Sequence, residues 1–176
     1  KGCSYKSEDL KESESALVTL KSINRGGGFN QNGYKEYTGD YKGEQIVRDG
    51  EIIVAQTDLT QNAEVVGTPA IINSLSRYDK LIASLDLQIL RIKDKLNKGF
   101  LYFLLKTRIF HNHALSYTNG TTVLHLNKNA VPNFEFVIPS ETTLNQFGQI
   151  SNKVIEKMNK NEKEAFILSQ IRDSLL

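Results

Sequence analysis

Two hydrophobic periods follow one another along this chain, and the change from one to the other divides it. Before Lys98 the apolar residues come in short runs bounded by glycine, proline and polar clusters. Ala16-Leu17-Val18-Thr19-Leu20 reads as a first strand, and the stretch from Asn24 to Tyr34, with Gly26-Gly27-Gly28 at its centre, as a loop. Glu51-Ile52-Ile53-Val54-Ala55-Gln56 follows the turn Arg48-Asp49-Gly50 and has the unbroken apolar character of a buried strand. Further strands are expected over Ala63 to Ile72, broken near Gly67 and Pro69, and over Leu81 to Ile92, where the period of two is only approximate. From Gly99 to His113 the spacing turns helical, with Phe100, Phe103 and Leu104 on one side. A strand at Phe134 to Ile138 should close the head, because Pro139 has no N–H to continue a ladder.

The last 36 residues, Glu141 to Leu176, contain one glycine and no proline. Their apolar positions, Leu144, Phe147, Ile150, Val154, Met158, Ala165, Leu168, Ile171 and Leu175, are spaced mostly by three or four, and Ser140 or Thr142 can cap the helix they predict. Such a helix is roughly 50 Å long, against roughly 30 Å for a small globule. Part of its stripe therefore needs another chain, or another part of this one. The polar run Asn159-Lys160-Asn161 can either fix the register of a helix pair, as a buried Asn does in coiled coils, or mark a surface kink. The expected fold class is α+β: a mixed α/β head over residues 1–140 and a long C-terminal helix over 141–176 that pairs in an antiparallel coiled coil.

Composition narrows the class. With 39% hydrophobic residues, eight Phe and seven Tyr, 176 residues are enough for a real core and exclude a disordered chain. No apolar run approaches the roughly 18–20 residues that span a bilayer, so a cytoplasmic protein without a membrane partner is expected. The single cysteine, Cys3, cannot form an internal disulfide or build a cysteine-rich zinc site.

The net charge of +2 is unevenly spread. Between Leu87 and Lys128, Arg91, Lys93, Lys95, Lys98, Lys106, Arg108 and Lys128 face Asp94 alone, and all three histidines fall in the same interval. A basic zone of this kind suits a polyanion, since each neutralised phosphate releases condensed counterions. The 141–176 arm, with five acidic and five basic residues, is neutral and better suited to helix pairing.

Motifs for chemistry are missing. There is no phosphate-binding G-x-x-x-x-G-K-[ST] loop, no H-E-x-x-H helix and no G-x-S-x-G elbow. The glycine run after Arg25 lies in a polar loop and does not open a helix, unlike a dinucleotide fingerprint. His111-Asn112-His113 places two histidines two apart at a helix end, where they face different directions; a shared metal needs ligands four apart on one face. No catalytic residue, metal or cofactor is expected in this chain.

What remains is three polar loops. Arg25, Asn30, Gln31, Asn32 and Lys35 form the first; Gln56, Thr57, Asp58, Thr60 and Gln61 the second; Tyr117, Asn119, Thr121 and Thr122, with Thr118 between them and Lys128 beyond, the third. Asn and Gln match adenine in the major groove and Arg matches guanine, while Thr and Lys suit phosphates. Each loop taken alone is equally an ordinary polar turn.

The order of these segments resembles the target-recognition domain of DNA specificity subunits from Type I restriction-modification systems. Leu20 to Tyr41, with its glycine-rich loop and Gly33-Tyr34-Lys35-Glu36-Tyr37-Thr38-Gly39, looks like the first recognition segment, and Asp49-Gly50-Glu51-Ile52-Ile53-Val54-Ala55-Gln56-Thr57-Asp58-Leu59-Thr60 like its G-D-hydrophobic stretch. Gly120-Thr121-Thr122-Val123 with Pro139 is similar to its third landmark. The resemblance implies a non-catalytic module that reads one half of a split double-stranded DNA target. Separate methyltransferase subunits would bind S-adenosylmethionine, and a separate restriction subunit would use ATP. The family holds two recognition domains apart on two antiparallel helices, whereas this chain has one head and one arm. It is either a half-length subunit that forms a homodimer through Leu144, Phe147, Val154, Met158, Ala165, Leu168, Ile171 and Leu175, or an excerpt of a two-domain chain. The competing class is a protein-interaction scaffold with a coiled-coil arm and no nucleic acid.

Overall fold

A computed structural model describes residues 1–60, 62–73, 78–92 and 96–175. In chain order its strands begin with β1 (Ser15–Val18), β2 (Lys35–Glu36), β3 (Ile46–Val47), β4 (Ile52–Ala55), β5 (Thr57–Asp58) and β6 (Pro69–Ile71). β7 (Lys80–Ala83) and β8 (Leu87–Leu90) follow, then helices α1 (Lys98–Leu105) and α2 (Arg108–Ser116), the hairpin β9 (Thr118–Asn119) and β10 (Leu124–Leu126), and finally α3 (Glu141–Leu175). The chain is mixed α+β with a long C-terminal helix. Among the described residues no helix is long and apolar enough to cross a membrane.

β4 explains the layering. Its four consecutive residues are buried, because Ile53 and Ala55 face one core and Ile52 and Val54 the other. On the first side it packs against the sheet β2-β1-β7-β3, in which β1 and β7 run parallel, and Ala16, Val18, Leu81 and Ala83 fill the space between. On the second side lie Tyr102 and Leu105 of α1, Phe110 and Ala114 of α2, and Leu126 of β10. A strand covered on both faces shows no alternation, which is why its sequence is uniformly apolar. Cys3, Leu17, Tyr37 and Ile82 form a smaller cluster on the outer face of the first sheet.

Three expected elements are redrawn. Leu81 to Ile92 is two strands, not one: Leu87 N–H bonds the Ser84 carbonyl (2.9 Å) and turns the chain from the first sheet into the sheet β6-β4-β8. Gly99 to His113 is two helices, because the Thr107 hydroxyl accepts the Phe110 N–H (3.3 Å) and caps α2. Phe134 to Ile138 pairs with no strand among the described residues. Its alternation serves an aromatic ladder instead, with Phe134 packed on Phe110 and His113 (both 5.0 Å between ring centres) and Phe136 on Phe100 (6.1 Å). Val137 points outward, 89% exposed.

α3 lies along the head. Where it crosses α1, a Cβ on Gly99 would sit 2.2 Å from Ser151 Oγ, and one on Gly148 2.4 Å from Asn97 Nδ2, so the two helices approach through missing side chains. Asn97 also caps α1 by accepting the Phe100 N–H (3.0 Å). Further along, Ile155 and Met158 pack on the second core. Asn73 Nδ2 donates to the Asn159 carbonyl (3.4 Å) and to Glu162 Oε2 (3.3 Å), and Phe29 lines the small cavity beside the same carboxylate. Burial pushes the Glu162 carboxyl up, and the Asn73 amide and the Phe29 backbone partly offset it. The docked stretch, Gly148 to Ser169, spans roughly 30 Å of a helix roughly 50 Å long. The helix runs unbroken through Asn159-Lys160-Asn161.

Gly99→Val is expected to force α3 off α1 at the cost of roughly 1–3 kcal/mol, the usual range for overpacking. A thermal melt lowered by several degrees would show this; an unchanged melting temperature would mean that the crossing tolerates a side chain.

Candidate nucleic-acid interface

Parts of the three polar loops come together. β10 is the middle strand of the sheet β5-β10-β9, and His125 lies opposite both Thr57 on β5 and Asn119 on β9. Directly opposed residues share a sheet face, so Thr57, His125 and Asn119 form one cross-strand row. Thr57 and His125 line a cleft of about 390 Å³ together with Lys21, Arg25 and Lys35 and with the carboxylates of Asp58 and Asp86. Lys35 Nζ is held 5.5 Å from the Tyr5 ring centre, and Thr57 Oγ1 donates to Asp86 (3.0 Å). Residues from each of the three loops thus stand in or beside one cationic and hydroxyl-bearing groove.

The groove is shaped by Asp58, which is itself buried. Its carboxylate accepts the Thr60 N–H and hydroxyl (both 2.7 Å) and the Val65 and Val66 N–H groups, so it folds the loop between β5 and β6 around one anion. Burial alone would push this carboxyl up. The bonds from Thr60, Val65 and Val66 outweigh it and hold the group below the ordinary carboxylate value. The spacing Asp58-Leu59-Thr60 is that of an Asx turn, and this signal could have separated Asp58 from its neighbours in the sequence.

Other expected site residues are placed differently. Gln56 is 5% exposed and its amide donates to Gln88 Oε1 (3.1 Å), so it ties β4 to β8 and presents no edge to a base. Asn30 accepts the Asn32 N–H (3.1 Å) and caps the short turn Gln31–Gly33. With Gln31 and Asn32 it lines a small cavity of about 200 Å³ against Glu162, Ala165 and Phe166 of α3, away from the groove. Tyr117 lies on the His113 ring (4.8 Å) and accepts a bond from Asn133 (3.3 Å). His113 Nε2 donates to the Ala130 carbonyl (2.8 Å) and belongs to this packing. Thr121, Thr122 and Lys128 are exposed at and beyond the hairpin tip. Gln61 lies outside the described residues.

The basic zone separates as well. Arg91 is spent on structure, bonding Glu51 (2.8 Å) and the Glu44 and Ile46 carbonyls (2.8 and 2.7 Å). Lys93 and Lys95 fall outside the described residues. Lys106, Arg108 and His111 line a second cleft, which Arg25 shares with the groove.

The residues assigned to the arm's interface occupy two faces of α3. Met158 is packed on the head's own core, Leu144 is half-buried, and Ala165 lines the small cavity beside Asn30. Val154, Leu168, Ile171 and Leu175 face outward, at 42%, 65%, 50% and 80% exposure. Phe147 lies between the two faces, with its ring against Phe100 and Phe103.

Asp58→Ala would strand the Val65 and Val66 N–H groups and should cost on the order of 3 kcal/mol at neutral pH. Because the folded carboxyl titrates below its unfolded value, its contribution is present above about pH 4 and is lost as pH falls through the folded value. Asp58→Asn should therefore remove part of the wild type's acid destabilisation below about pH 4, as read by denaturant unfolding across that range. Identical acid profiles would contradict the assignment.

No protein-family model matches the chain, and no curated protein matches its sequence with significance.

Proposed function

We propose that this chain is a non-catalytic reader of double-stranded DNA, the recognition head and spacer helix of a Type I restriction-modification specificity subunit. The observation that carries the reading is the convergence of Arg25, Lys35 and Lys21 with the Thr57-His125-Asn119 row around one groove. Lys and Arg neutralise phosphates and fix register, while Thr, Asn and His on a stiff sheet can meet base edges or sugars. Methylation and cleavage belong to partners: methyltransferase subunits carrying S-adenosylmethionine and a restriction subunit using ATP, all in the cytoplasm.

The arm supplies the second half of the site. Its outward face reads Ile150, Val154, Lys157, Asn161, Glu164, Leu168, Ile171 and Leu175, alternating by four and three as the positions of a coiled-coil seam do, with apolar ends and three polar residues at its centre. Two copies pairing antiparallel along it would hold two heads apart on a two-fold axis and read a symmetric split target.

Binding to a mixed-sequence duplex should weaken by roughly a hundredfold between about 50 and 200 mM salt if four phosphates are neutralised. Arg25→Ala/Lys35→Ala should flatten that dependence. A salt-independent interaction would favour the protein-scaffold reading. In light scattering at tens of micromolar the chain should be a dimer, and Leu168→Glu/Ile171→Glu a monomer with its helix content retained; a wild-type monomer would remove the pairing.

A further inference from the structure

Next to the groove is a larger cleft of about 750 Å³, walled on one side by the glycine loop and on the other by the corner between α1 and α2. Arg25, Lys106 and Arg108 bring three cations to it, and Glu64 is the carboxylate in its lining. Among the described residues neither Lys106 nor Arg108 forms an ion pair. The corner between them is stiff, because Thr107 donates to the Leu104 carbonyl (2.7 Å) as well as capping α2. Lys106 is held too. Its Nζ lies 5.6 Å from the Tyr102 ring centre, and its Cε would be 3.0 Å from a Cβ on Gly27, whose φ of +92° favours glycine.

Arg25 is different. Its Nη1 is 3.3 Å from Glu64 Oε2, with 74% and 37% of the two side chains exposed. An exposed pair of this kind is weak and exchangeable. A phosphodiester group, through its two non-bridging oxygens, offers the guanidinium the same charge-assisted, bidentate geometry as a carboxylate.

We propose that this cleft clamps a backbone phosphate of bound DNA between Lys106, Arg108 and Arg25, and that Glu64 occupies the phosphate's place on Arg25 until DNA displaces it. The clamp rests on the DNA-binding reading above and adds a gate to it: Glu64 competes with every phosphate, whatever the base sequence.

The test measures duplex affinity by fluorescence anisotropy across a salt series, using the full chain and a labelled mixed-sequence duplex. Lys106→Ala/Arg108→Ala should make the log-log salt slope shallower by about 0.9, the contribution of the one phosphate charge left unneutralised. Glu64→Gln should tighten binding severalfold at every salt concentration. Lys153→Ala/Lys163→Ala, which removes the same charge from the exposed side of α3, should leave the slope unchanged. Circular dichroism confirms that each surface variant is folded. If the wild type binds and the Lys106/Arg108 variant keeps its slope, the clamp is wrong and the DNA reading survives. If the wild type fails to bind duplex even at low salt, the DNA reading falls and takes the clamp with it. If inorganic tripolyphosphate binds through Lys106 and Arg108 while duplex affinity ignores them, the cleft serves a free phosphate ligand and the DNA clamp is overturned.

Discussion

A half-buried carboxylate on the long helix joins the two parts of this molecule. Glu162 accepts from the Asn73 side chain beside the Phe29 backbone, and a charge taken this far out of water must keep that partner. Asn73 follows directly on the core residue Ile72, and Phe29 ends the glycine loop that carries Arg25. One carboxylate therefore ties α3 to the segment after β6 and sets it beside the loop that forms one wall of the clefts. The nearby Tyr102 hydroxyl registers the same crowding: burial first, then the Glu162 charge, push it up to about 12.

The groove owes its rigidity to sheets and its adaptability to loops. Thr57, His125 and Asn119 are fixed by ladder hydrogen bonds, and Asp58 prevents the loop beside them from opening. Arg25, by contrast, stands on glycines and is tethered by one exposed ion pair. Fixed groups suit discrimination, and a tethered cation suits contact with a flexible backbone.

Much of the fold was legible, for identifiable reasons. β1 and β4 declared themselves by compact apolar runs, and α3 by a long stripe without glycine or proline breaks. The turn at Ser84-Leu85-Asp86 was hidden because Leu81 and Leu87 enter the same core from different sheets, so the apolar pattern continues across it. Phe134 and Phe136 alternate as a strand would, yet alternation reports only that one side is covered, and here rings cover it. Thr107 resembled a helix interior because a threonine caps and continues helices with the same atoms. The site was less legible than the fold. Asn, Asp, Gln and Thr build turns with the groups that also read bases. Only tertiary partners reveal that Gln56 and Asn30 are committed to the protein, while the Thr57 hydroxyl spends its proton on Asp86 and keeps its acceptor lone pairs. The clefts gather residues more than eighty positions apart, which no local pattern reports.

The parallel pairing of β1 with β7 constrains how the chain can assemble. β7 is the strand that connects β1 and β2 to β3, and it arrives some sixty residues after β1. Until Lys80–Ala83 are in place, Ser15–Val18 has only the two-residue β2 beside it, and Ile46–Val47 has no neighbour in its sheet. Closing so long a loop before the contacts reward it makes this step entropically slow. The whole stretch from Ser15 to Ala83 must therefore be available together before this four-stranded sheet can exist.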